Sequence, residues 1–178
     1  MAQDVEIDQV DDDRALGGIG YPRTTRRLVP GKNIQEDSLL ATDYLNHFNE
    51  IIMLLEIIPS MPDCFEDMRD WKPKTYQAHF IETNFQNKDL AVHAYYNAPA
   101  RYRQPFDQVV GRMDALLVHA LSELSAAVDA HDTETIEVIC ASVGPRLRRL
   151  GDVAGAIING NAMTVEENEI ETLLAEDL

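Results

Sequence analysis

Residues 105–130 read PFDQVVGRMDALLVHALSELSAAVDA, and the spacing of the apolar side chains in this stretch decides the fold. Val109, Met113, Leu116, Leu117, Ala120, Leu124 and Val128 recur mostly at steps of three and four, which lines them along one face of a helix about seven turns long. Pro105 suits the first turn, where its missing N–H has no intrahelical partner to lose. His131 and Asp132 then make a turn, and Thr133 begins a second stripe: Ile136, Ile139 or Cys140, Val143, Leu147, Leu150, Ala154 and Ile157. Gly144 and Pro145 predict a kink or short break in this last helix, and Gly160 ends it.

Upstream, Leu40, Tyr44, His47, Ile51, Leu54 or Leu55, and Ile58 predict another amphipathic helix, capped by Asp37 or Ser38 and stopped by Pro59. Shorter helical segments are expected over 62–71, 74–85 and 87–97, separated by proline or asparagine breaks, with Pro99 to Pro105 as a connection. Tyr76, Phe80, Phe85, Tyr95, Tyr96, Tyr102 and Phe106 are concentrated in this middle region, which fits large apolar area packed where short helices meet. The fold class that follows is all-α: an irregular helical bundle with two long C-terminal helices, one long N-terminal helix and short intervening helices. The helical domain is expected over 35–162. Residues 1–34 read as a disordered or extended tail with a small basic group, Arg23, Arg26, Arg27 and Lys32, and 163–178 as an acidic tail.

The formal charge of −16 on 178 residues is unevenly spread. Residues 1–13 and 163–178 each carry six acids and no base, which leaves nineteen acids against fifteen bases between them. Such a chain is repelled by phosphate backbones and anionic headgroups, so nucleic acid and membrane surfaces are disfavoured as partners. The longest apolar run, Ile51 to Ile58, includes Glu56 and is too short to span a bilayer. The opening Met1 to Asp4 lacks the basic and apolar regions of a secretory signal, and two cysteines without metal-ligand spacing fit free thiols; a cytoplasmic location is expected.

Two repeated quartets carry the most suggestive chemistry: His47-Phe48-Asn49-Glu50 and His79-Phe80-Ile81-Glu82. In each, imidazole and carboxylate stand three positions apart, on neighbouring points of a helix surface. If the two helices face one another, His47, Glu50, His79 and Glu82 offer nitrogen and oxygen ligands that suit zinc or iron. The order is the reverse of the Glu-x-x-His used by di-iron bundles. His47 also lies on the apolar stripe, where a hydrogen-bonded core histidine is the plainer expectation.

Arg101, Tyr102 and Arg103, read within a proline-bounded connection, form a candidate contact for a partner carboxylate. Ile170, Leu173 and Leu174, with Leu178, fall on one side of a helix and form a second candidate contact, able to fold into a partner's groove. Phosphate-binding glycine loops, nucleophile elbows and dinucleotide fingerprints are absent from the sequence. The functional expectation is a non-enzymatic protein-interaction or regulatory module without a cofactor, able to contact another protein or a second copy of itself. The alternative is a metal-binding helical bundle.

Overall fold

Two long antiparallel helices frame the fold in a computed structural model that describes residues 22–160. In chain order the α-helices are α1 (Pro22–Arg26), α2 (Asn46–Ile57), α3 (Glu66–Arg69), α4 (Tyr76–Glu82), α5 (Lys88–Tyr96), α6 (Ala100–Asp129) and α7 (Thr133–Ile158). Short 3-10 turns, Thr42–Leu45 and Pro62–Phe65, lead into α2 and α3. The all-α bundle expected from periodicity is what forms, and no strand occurs among the described residues.

The hairpin between α6 and α7 closes through paired caps. His131 takes the left-handed conformation (φ 56°), its N–H bonds the Val128 carbonyl at 3.0 Å, and the Asp132 N–H reaches Ala127 at 2.9 Å. This satisfies carbonyls that the end of α6 leaves open. The Asp132 carboxylate then accepts from the Thr135 N–H at 3.1 Å and starts α7. The stripes that face each other across the hairpin are buried: Met113, Leu117, Ala120 and Leu124 from α6 meet a set from α7 that includes Ile136, Leu147, Ala154 and Ile157. Leu116 and Val128 are half-buried at its edges.

Prolines behave differently from expectation in both helices. The Pro99–Pro105 stretch is helical from Ala100, so Pro105 is the sixth residue of α6 and forfeits one bond, to the Arg101 carbonyl, near the end where the helix is least committed. Helix α7 continues through Gly144 and Pro145 without a break. Gly144 has no Cβ to crowd the proline ring, which removes the usual obstacle to helical geometry before proline.

Helix α2 lies antiparallel against α7, with Leu45 close to Gly155 at one end and Leu55 beside Cys140 at the other. It starts later than Asp37. Leu39 is left-handed (φ 59°), and Leu39, Leu40 and Ala41 are all buried, a consecutive run that no single helix face accommodates. Ser38 does not cap α2; its hydroxyl donates to the Ile158 carbonyl at the end of α7 and accepts from the Leu40 N–H.

The described part of the expected tail also differs. Residues 22–34 include α1 and bury Thr25, Val29 and Ile34, and Gln35 Nε2 donates to Asn159 Oδ1 at 2.8 Å just beyond them. Isolated apolar residues set among turns at Gly31 (φ 70°) and Asn33 (φ 57°) have no period, so their burial leaves no mark in the pattern of the sequence.

Candidate functional site

The two histidine quartets meet in part. His47 sits in the first turn of α2, and its ring stacks on Trp71 at 4.9 Å between centroids. Its Nε2 lies 3.1 Å from the Lys72 carbonyl, which can only accept, so Nε2 carries the proton and Nδ1 keeps its lone pair. His79, on α4, is buried between the edges of Tyr44 and Phe80 and bonds the main chain of Asp43. The two imidazole centroids are 6.2 Å apart.

Burial, followed by the Lys74 ammonium, holds His47 down at about 4; burial likewise lowers His79, with Lys74 adding to it. Both rings are therefore neutral at pH 7. The carboxylates are not gathered with them. Glu82 forms an ion pair with Lys74 at 2.8 Å, which holds its carboxyl below the usual range, and Glu50 is exposed on α2. Among the described residues no group of three or more His, Cys, Asp and Glu side chains is placed to hold a metal ion.

Arg101, Tyr102 and Arg103 occupy the first turn of α6 rather than a loop. Tyr102 is buried, the Arg101 guanidinium lies over its ring at 5.0 Å, and Arg103 lies 5.9 Å from the Tyr95 ring. The two guanidinium groups thus rest on aromatic faces. Ile170, Leu173 and Leu174 lie outside the described residues. The middle-region aromatics do what packing predicts: Tyr44, Tyr76, Phe80 and Phe106 form one buried cluster with centroid spacings of 4.7 to 6.1 Å.

A groove that periodicity alone does not reveal runs between the C-terminal half of α2 and the outer side of α7. It encloses about 640 Å³, and Leu55, Pro59, Cys140, Ala141, Gly144 and Pro145 line it. Leu55 and Pro59 stand on the side of α2, and Cys140, Ala141, Gly144 and Pro145 on the side of α7.

The rim is charged: Arg148 pairs with Glu56 across it, and Arg149, Glu137 and Asp152 stand along α7. Among the large apolar side chains, Met53 and Ile57 on α2 and Val138 on α7 are 60%, 39% and 65% exposed. The legible signal was the run of small residues, Ala141, Gly144 and Pro145, on a helix otherwise rich in branched side chains. Cys140 is a poor nucleophile here, since burial pushes its thiol up to about 11.

No protein-family model, curated protein or solved structure matches this chain. What can be stated of its class is architectural: an all-α bundle built on a long antiparallel hairpin, with no described helix long and apolar enough to cross a membrane.

Proposed function

We propose that this chain is a non-enzymatic interaction module whose α2/α7 groove receives an amphipathic helix from another protein. The observation that carries the reading is the open groove between α2 and α7, with Leu55, Pro59, Cys140, Ala141, Gly144 and Pro145 along it. Surfaces of this kind favour helix-in-groove recognition, in which residues at i, i+3, i+4 and i+7 of the partner enter the groove. Small side chains at Ala141 and Gly144 let a partner backbone come close, and the mixed charges of the rim select orientation more than strength. Acid-rich ends, six acids without a base at each, fit a regulatory protein that avoids unselective contact with nucleic acid.

Benzoylphenylalanine at Ala141, photolysed in cells, tests this reading. It should give an adduct whose partner peptide carries an apolar helical face, and the same amino acid at the exposed Glu123 on α6 should not. Identical products from both positions, or none from Ala141, would sink it.

A second reading, metal binding, is favoured by the proximity of the His47 and His79 rings and by the lone pair left on His47 Nδ1. It needs Glu82 to exchange Lys74 for the ion. Zinc or iron(II) bound stoichiometrically after reconstitution, and lost in His47→Ala and His79→Ala variants that remain folded, is its expected signature. A full-length protein that takes up neither metal would exclude it.

A further inference from the structure

We infer that the partner of the groove is basic: an amphipathic helix of a different protein that carries Lys or Arg toward both ends of its apolar face. This rests on the interaction reading above and names the chemistry of that partner. The support is the placement of charge along the groove face of α7. Glu137 stands four residues before Ala141 and Asp152 eleven after it, which brings both within about 40° of Ala141 around the helix. Both acids are exposed. Arg148 lies on the same line, but its guanidinium is held by Glu56 from the α2 side. Arg149 follows Ala141 by eight residues and stands about 80° away, at the edge of the groove. With Glu56 and Arg148 paired, a helix lying over Ala141 and Gly144 meets a carboxylate toward either end.

The separation of these acids sets the spacing of the partner's bases. Glu137 and Asp152 are fifteen residues apart, about 22 Å of helix. A partner lying along α7 meets them with bases about four turns apart and with apolar residues between. An acidic helix of the same shape fits the floor but brings like charge to both ends. A second copy of this chain is a poor occupant, since two molecules at −16 each repel. The same net charge draws a cationic partner in and raises its rate of encounter, an effect that salt weakens.

The test uses the full chain and three synthetic helices, alike in length and apolar face, that carry Lys, Gln or Glu at both ends. Binding is followed by fluorescence anisotropy of the labelled helices at low and at high salt. An exposed ion pair is worth up to about fivefold in affinity, so attraction at two ends of one helix and repulsion at two ends of another should separate the Lys and Glu helices by about tenfold or more at low salt, with the Gln helix between them. Reversing the rim with Glu137→Lys and Asp152→Lys together should abolish or invert this order. Ala141→Trp, which fills the groove from an exposed position, should weaken all three.

Equal binding of the Lys and Glu helices overturns the inference, as does no binding by any of the three. An order unchanged by the double variant also overturns it, because the attraction then comes from acids elsewhere in the chain. Both reversed residues are exposed, so the double variant remains informative even if Ala141→Trp fails to fold. The two readings fail separately. An Ala141 adduct in cells on a neutral or acidic helix keeps the interaction module and removes only the basic partner, whereas a silent Ala141 removes the module itself.

Discussion

Tyr76→Phe removes one oxygen atom from the centre of the bundle, and the expected cost follows from what that oxygen accepts. Tyr76 is 3% exposed and Ala41 1%, and the Ala41 N–H donates to the phenol oxygen at 2.8 Å. Ala41 precedes the 3-10 turn in extended geometry (φ −118°, ψ 134°), where no helix carbonyl stands ready to take over its N–H. The substitution therefore strands a buried donor.

Stranding a buried donor costs about 1–3 kcal/mol, and for a chain of this size each kcal/mol lowers the melting temperature by roughly 2–4 °C. Tyr44→Phe is the matched comparison. Its hydroxyl donates to the Lys74 carbonyl at 2.7 Å at a part-buried site where water can replace it, so the loss should stay near 0.5–1.5 kcal/mol. Urea titrations followed by far-ultraviolet circular dichroism measure both, with unchanged slopes confirming that the unfolded states are comparable. A Tyr76→Phe loss under about 0.5 kcal/mol, or one smaller than that of Tyr44→Phe, would refute the reasoning that the phenol satisfies Ala41.

Three further outcomes are expected. Titration of the His47 ring by NMR should have its midpoint near 4; because the unfolded chain protonates first, near 6.5, the stability His47 contributes is present above that pH and lost as pH falls toward 4. Asp114, pushed up to about 6 by burial, acts in the opposite sense over the same range, so the check is the difference between the wild type and His47→Gln; a midpoint above 6 removes the effect. Thr75→Ala should destabilise by about 1 kcal/mol and fray α4, because Thr75 Oγ1 accepts from the Ala78 N–H at 3.2 Å; no change in amide exchange at Ala78 would contradict that. His131→Gly should stabilise by up to about 1 kcal/mol and Gly160→Ala should destabilise by a similar amount, since both positions are left-handed; equal signs for the two in thermal melts would refute the backbone argument.

The candidate sites show where local pattern stops being informative. His47 and His79 are thirty-two residues apart, and the repeated quartets expose their kinship without fixing a distance. Their approach to 6.2 Å depends on Trp71, the Lys72 carbonyl and Tyr44, none of which shares a helix with both rings. Lys74, outside either quartet, takes the Glu82 carboxylate away from them. The sequence reads as a loop at Arg101 and Arg103 because a proline ahead of a helix and one inside its second turn look alike; the structure has both residues in the first turn of α6, with Tyr102 between them buried.

Fold class and the long hairpin were legible because a step of three or four residues is a property of the helix itself, present before any packing. The same holds for the charge partition, which is a count. Everything that depends on distant contact was decided by tertiary structure. Val29 and Ile34 are buried and Ser38 donates to the Ile158 carbonyl from a stretch without a periodic stripe, and the groove forms where the end of α2 meets the flank of α7. A periodic stripe says which side of a helix turns inward, but not how much of that side its neighbours cover.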